Sequence, residues 1–188
     1  MSDTDHQAQA ELGKQMTLAF QYIQQIFRET AQLMTTLDDL MGGDWIPTYG
    51  NRTTRDVTSH LAHPDDWLVR AVFRVYDSKD SPGLRKGISI AYWGNGLEQP
   101  ILIGGRLDYF VPEGADEPDV RGYWDLSKAW FEEGPEDKRI DGSIYQVDPS
   151  EGSLKDHIRD AHVFAIPLAS VESEDDIRTK VYRRLKEL

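Results

Sequence analysis

The sequence predicts an α+β fold, in which an antiparallel sheet of four or five strands carries a long N-terminal helix and a C-terminal helix packed mainly on one face. Three observations lead to this class. Apolar residues recur at spacings of three and four over residues 12–41, at spacings of two between residues 68 and 110, and at helical spacing again after residue 176. Because 188 residues fit one hydrophobic core, we expect a single domain, 1–188, with a polar tail (1–10), the helix (12–41) and an α+β body (67–188).

The first helix has the most regular pattern in the chain. Its main apolar row consists of Leu12, Met16, Ala19, Ile23, Ile26, Thr30, Leu33, Leu37 and Leu40. A second row lies beside it and consists of Phe20, Phe27, Met34 and Met41. Gly42 and Gly43 then predict the end of the helix. A row of about four heptads favours pairing of two copies, so we expect a homodimer whose contact includes Leu12, Met16, Ile23, Ile26, Leu33 and Leu37. The alternative is that the whole row packs on the protein's own core.

The sheet is predicted from five segments of strand character, at residues 68–76, 88–92, 101–110, 143–147 and 162–168. Short turns between the first three favour an antiparallel meander. Gly104 and Gly105 indicate a bulge or a close approach of two backbones. On the second face of the first strand, Arg70 and Arg74 are expected to pair with surplus carboxylates; the alternative is an anion site formed with Arg106.

Helical segments are expected after the meander as well. Residues 124–133 predict a short helix, residues 154–160 a helical turn, and Ser173 the N-cap of a closing helix with an apolar face of Ile177, Val181, Leu185 and Leu188. The segment 111–123, rich in proline, glycine and acid, is expected to be a long loop of the kind that is often functional or disordered.

Composition excludes several classes of protein. The chain has no cysteine, which rules out disulfides, thiolate zinc sites and a cysteine nucleophile, and favours a reducing compartment. Residues 1–10 are polar and do not resemble a signal peptide, and no apolar run approaches the roughly 20 residues that span a bilayer. We therefore expect a soluble cytoplasmic protein with no membrane partner.

The net charge of −12 disfavours nucleic acids and anionic membranes as partners. Residues 113–137 hold nine acidic and two basic side chains. A block of this kind is typical of a solvated surface, and the alternative is a contact surface for a basic protein.

One cluster has the residue types of a metal site. His60 and His63 lie one helical turn apart in sequence and are followed by Asp65 and Asp66, so His60, His63 and Asp65 could ligate a divalent metal. The simpler interpretation is a turn in which an aspartate caps the chain before the first strand. Apart from this possible metal, no cofactor is expected.

Other motifs are weaker. His157 and His162, with Asp156 and Asp160, are expected to be structural, because no Gly-x-Ser-x-Gly turn presents a nucleophile. The Asp65, Asp77 and Lys79 spacing superficially matches a nuclease core, but these residues flank turns rather than strand ends. The sequence also lacks the glycine loops that bind ATP or NAD.

Trp124 and Trp130 belong to a dense aromatic group with Tyr123 and Phe131. The group predicts either a helix anchored on the sheet or an exposed patch that binds a partner. Together these patterns favour a non-catalytic interaction or regulatory protein that self-associates through its first helix. The alternative is a metal-dependent hydrolase that uses His60, His63 and Asp65.

Overall fold

The computed structural model describes residues 3–94, 96–115, 122–134, 136–150 and 152–188, with side chains described from residue 9 onward. The chain divides into two compact units, Met1–Thr36 and Leu37–Leu188. The first consists of most of the N-terminal helix, and the second contains the last residues of that helix together with the sheet and the remaining helices. Among the described residues, no helix combines the length and apolar character needed to cross a membrane.

Helix α1 runs over Asp3–Met41. It begins well before the predicted start at residue 12, so most of the expected polar tail is helical. The reason is local: no glycine or proline interrupts the chain before Gly13, and alanine, as at Ala10, has the highest helix propensity. The predicted end is confirmed, since Gly42 adopts a positive φ of 38° directly after the helix.

The second unit contains a seven-stranded antiparallel sheet, two strands or more beyond the predicted four or five. Its strands are β1 (Trp45–Pro47), β2 (Thr54–Asp56), β3 (Ala71–Ser78), β4 (Leu84–Ala91), β5 (Ile101–Tyr109), β6 (Tyr145–Val147) and β7 (Ile158–Pro167). Their order is β1-β3-β4-β5-β7-β6, and β2 pairs with β3 beside β1. The two unpredicted strands, β1 and β2, are three residues long, too short to produce an alternating pattern in sequence.

The central strands meet at glycines. Gly104 lies opposite Phe164 of β7, and a Cβ atom on Gly104 would come within 2.3 Å of the Phe164 ring. The expected close approach of two backbones is present at Gly105, where a Cβ atom would come within 2.5 Å of the carbonyl oxygen of His162, whereas the register shift falls at Asp108 and Tyr109 instead. Strand β7 begins at Ile158, so part of the predicted helical turn at 154–160 is strand.

Helices cover both faces of this sheet. Helix α2 (Asp125–Phe131) contributes Leu126 and Trp130 to a core that includes Ile103 and Val163. The C-terminal helix is built from α3 (Glu174–Asp176), a π-helical segment (Ile177–Tyr182) and α4 (Arg183–Glu187), and the Arg184 guanidinium lies over the ring of Phe164. Successive residues of a strand face opposite sides, so α2 and the C-terminal helix occupy opposite faces.

The predicted cap of the C-terminal helix is confirmed. The backbone N–H of Asp176 donates to Oγ of Ser173 at 3.2 Å, and the Ser173 hydroxyl donates to Oδ2 of Asp176 at 2.8 Å. This reciprocal pair satisfies a backbone donor that the first helical turn would otherwise leave open.

Candidate functional site

The apolar row of α1 divides into an exposed and a buried half. Leu12, Met16 and Phe20 are each close to 60% exposed, and Ile26 is 43% exposed. Ile23 is half-buried, Thr30, Leu33 and Leu37 are buried, and Leu40 at the end of the row is half-buried. Of the six predicted contact residues on this helix, Leu12, Met16 and Ile26 are therefore the ones that present large apolar surface.

The exposed part of α1 has almost no net charge. Residues 9–36 contain two acidic side chains, Glu11 and Glu29, and two basic ones, Lys14 and Arg28. The polar side of the helix is organised locally: Gln25 donates to Glu29 and accepts from Arg28. A neutral apolar stripe beside a polar side is the pattern of a helix that packs against another apolar surface.

The aromatic group separates into a core residue and a cleft residue. Trp130 is 2% exposed and packs in the core, edge-on to Tyr145 at 5.9 Å between ring centroids. Trp124 is half-buried, and its ring lies 5.2 Å from that of Phe73 and 5.1 Å from that of Tyr123. Trp130 thus anchors α2 on the sheet, and Trp124 reaches a surface that a ligand can contact.

Trp124 lines a cleft of about 580 Å³ between the sheet and α2. The cleft residues come from β2, β3, the ends of β4, and α2: Asp56, Arg70, Ala71, Phe73, Ala91, Trp93, Trp124, Ser127, Lys128, Phe131 and Glu132. Sequence reasoning identified Trp124 and Phe131 as aromatic candidates but not the cleft. No local pattern signals it, because its walls lie up to 76 positions apart and meet only through strand pairing.

An ion pair forms one side of the cleft. Nε of Arg70 donates to Oδ2 of Asp56 at 2.5 Å, and this hydrogen bond raises the pKa of the Arg70 guanidinium. Arg74 pairs with Asp38 and Arg106 with Asp160. All three arginines thus have a carboxylate partner, as expected for Arg70 and Arg74.

The predicted metal ligands lie in an exposed turn. The imidazole rings of His60 and His63 are 5.4 Å apart, and Nδ1 of His60 accepts a hydrogen bond from the backbone N–H of Ala62. Asp65 lies in the 3-10 helix Pro64–Trp67 that follows. In the part of the chain that the structure describes, no three His, Cys, Asp or Glu side chains gather as a metal site.

The other two histidines belong to separate networks. Nε2 of His157 lies 3.3 Å from Oδ2 of buried Asp125, and the Tyr109 hydroxyl donates to the same oxygen at 2.9 Å. Nδ1 of His162 lies 3.2 Å from Oδ2 of Asp160 but is out of line for a hydrogen bond. Within the described residues, neither histidine hydrogen-bonds a serine hydroxyl, so these contacts do not form a nucleophilic triad.

Comparisons of the chain with protein-family models, curated proteins and solved structures found no match.

Proposed function

We propose that this protein is a non-catalytic interaction protein that self-associates through the exposed apolar face of α1. The observation that carries the proposal is the exposure of Leu12, Met16, Phe20 and Ile26 along one helix. Burying a large apolar side chain contributes about 1.5–3 kcal/mol, so a helix with four of them gains most when another apolar surface covers them.

A second copy of the chain is the partner that fits this surface best. The row repeats at spacings of three and four, which is the pattern by which identical helices pack. Two copies of a neutral stretch, residues 9–36, meet without repulsion there although the whole chain carries −12. A basic protein would instead be attracted to the acidic side chains outside this stretch.

The compartment we propose is the cytoplasm. The support is compositional: a chain without cysteine has no disulfide to gain from an oxidising compartment.

Sedimentation velocity of the full chain over a range of micromolar concentrations tests the self-association. We expect the wild-type protein to sediment as a dimer or larger oligomer that dissociates on dilution. Replacing two exposed apolar side chains, Phe20→Glu with Ile26→Glu, should weaken association by roughly a hundredfold or more.

The matched control is Gln21→Glu with Gln24→Glu, which adds the same two charges at exposed polar positions of the same helix. The control variant should associate like the wild type. A wild-type protein that remains monomeric at every concentration, or a control that dissociates as readily as the apolar variant, would overturn the proposal.

A further inference from the structure

The floor of the cleft is built from small side chains. Ala71 of β3 and Ala91 of β4 lie directly opposite each other and are both buried. Beside them the hydroxyls of Ser89 and Ser127 hydrogen-bond to each other at 2.8 Å, which ties β4 to α2. Because neither alanine extends beyond Cβ, depth remains between strand and helix that a ligand can fill. The volume, about 580 Å³, is within the roughly 300–1,000 Å³ usual for small-molecule sites.

The walls are aromatic and held in place from behind. Trp93 is fixed by a hydrogen bond from Nε1 to the carbonyl oxygen of Val69 at 3.2 Å. Trp124 is held between Phe73 and Tyr123, and Phe131 continues the wall about two turns further along α2. Rings that are fixed before binding lose little conformational entropy on binding, and stacking a flat ring on an aromatic face contributes about 1–3 kcal/mol.

The rim offers hydrogen-bond donors and acceptors with no net charge. On one side the Asp56 carboxylate binds only Nε of Arg70, which leaves the terminal guanidinium nitrogens of Arg70 free of other described partners. On the other side Lys128 and Glu132 lie one helical turn apart, and Glu132 accepts from the hydroxyl of Ser153 at 3.3 Å. Two acidic and two basic side chains therefore line the cleft.

We propose that this cleft binds an uncharged planar heteroaromatic ring with donors and acceptors along its edge, the chemistry of a nucleobase or nucleoside. The aromatic walls stack against the faces of such a ring, and the Arg70–Asp56 pair and Ser127 hydrogen-bond to its edge. This binding site is independent of the self-association through α1.

The charge distribution selects against two other ligand classes. A phosphorylated ligand would enter a site of zero net charge on a protein of −12, so long-range repulsion would oppose it. A purely apolar ligand would remove water from the rim groups without replacing their hydrogen bonds, which is unfavourable. A neutral ring with a polar edge avoids both costs.

Isothermal titration calorimetry of the full chain with adenosine and with uridine tests the proposal. We expect saturable one-to-one binding of at least one nucleoside, accompanied by quenching of tryptophan fluorescence. Adenosine monophosphate should bind at least tenfold more weakly than adenosine, and methyl glucoside, a neutral ring without an aromatic face, should not bind. Absence of binding by both nucleosides, tighter binding of the monophosphate, or binding of the glucoside would each overturn the proposal.

Variants locate the binding in the cleft. Ala91→Leu fills the floor and should abolish nucleoside binding, whereas Ala169→Leu, at an exposed position, should leave it unchanged. Trp124→Leu removes one stacking face and should weaken binding by about five- to a hundredfold. Lys155→Gln, which removes a positive charge at an exposed position outside the cleft, should change it by less than twofold.

Thermal melting and sedimentation of each variant separate ligand binding from folding and assembly. If Ala91→Leu unfolds the protein, the half-buried Trp124→Leu variant still decides the outcome. A wild-type protein that is monomeric yet binds adenosine would overturn only the proposed self-association. A dimer that ignores both nucleosides would overturn only the cleft proposal.

Discussion

Arg74 on β3 and Asp38 in the last turn of α1 form a two-pronged ion pair. Nε of Arg74 donates to Oδ1 of Asp38 at 2.8 Å, and Nη2 donates to Oδ2 at 2.5 Å. The Tyr76 hydroxyl also donates to Oδ1 of Asp38, at 2.8 Å, and burial together with this hydrogen bond raises the pKa of Tyr76. This charge-assisted network lies within the second unit, which includes residues 37–41, and it joins the last turn of α1 to β3.

Removing the Asp38 charge should destabilise the protein substantially. Asp38→Asn keeps the shape of the side chain and an acceptor for Tyr76, but it leaves the buried Arg74 guanidinium without a counter-charge. We expect a loss of about 3 kcal/mol in the free energy of unfolding, measured by urea denaturation. Asp39→Asn is the matched control: it removes the same charge at an exposed neighbouring position and should change stability by less than about 0.5 kcal/mol. Equal effects of the two variants would contradict the prediction.

Tyr109 should be essential for the stability of the second unit, because its hydroxyl is buried beside Asp125 and 3.0 Å from the carbonyl oxygen of Gly122. Burial and the Asp125 charge raise the pKa of Tyr109 well above its ordinary value. Tyr109→Phe should therefore cost about 1–3 kcal/mol of unfolding free energy, since a buried carboxylate loses a donor. Tyr22→Phe, on the exposed side of α1, should leave the unfolding curve unchanged. If both tyrosines can be replaced without effect, the Tyr109 hydroxyl is not holding Asp125.

Two glycine-to-alanine substitutions should change the stability of the protein in opposite directions. Gly104→Ala places a Cβ against the fully buried Phe164 ring, and overpacking of this kind costs about 1–3 kcal/mol. Gly13→Ala lies within α1 with nothing within 4 Å of the new Cβ, so it should stabilise by about 0.5–1 kcal/mol through helix propensity. Thermal denaturation of both variants measures the difference. A stabilising Gly104→Ala would show that Phe164 can move aside.

The cap of the C-terminal helix should titrate at unusually low pH. Hydrogen bonds from Lys180, from the Ser173 hydroxyl and from the backbone of Glu172 lower the pKa of Asp176 to about 2. A depressed carboxyl pKa stabilises the folded state above the unfolded value of about 4, and this contribution is lost as pH falls towards 2. Carbon NMR of the Asp176 carboxyl should place its midpoint near 2. The midpoint should rise in Ser173→Ala and stay unchanged in Ser81→Ala, which alters the β3–β4 turn; no rise in Ser173→Ala would contradict the assignment.

The features that could be predicted from sequence are those with local causes. The end of α1 depends on Gly42 and Gly43, and the start of the C-terminal helix on Ser173, so both were predicted correctly. The central strands β3, β4 and β5 contain apolar runs that are long enough to be recognised as strands from the sequence. The early start of α1 was not predicted, because a polar stretch lacks the apolar periodicity that identifies a helix. Its only helical signal is the high helix propensity of its alanines.

The features that could not be predicted depend on contacts between distant segments. Strands β1 and β2 form by hydrogen-bonding to β3, and neither has an alternating apolar pattern in its own sequence. The cleft needs Ala71 to face Ala91 and α2 to lie above them, which only the strand register decides. The exposed and buried halves of the α1 row have the same spacing, so periodicity alone could not separate Ile26 from Leu33.

The neutrality of residues 9–36 has a consequence for how the protein responds to its ionic surroundings. Every one of the twelve excess negative charges lies outside this stretch, so mobile cations that screen the chain reduce repulsion between copies without weakening an apolar helix contact. An assembly held by surface ion pairs loosens as salt is added. An assembly formed through α1 should tighten, and it would therefore be most complete in the crowded electrolyte of a cell rather than in dilute buffer.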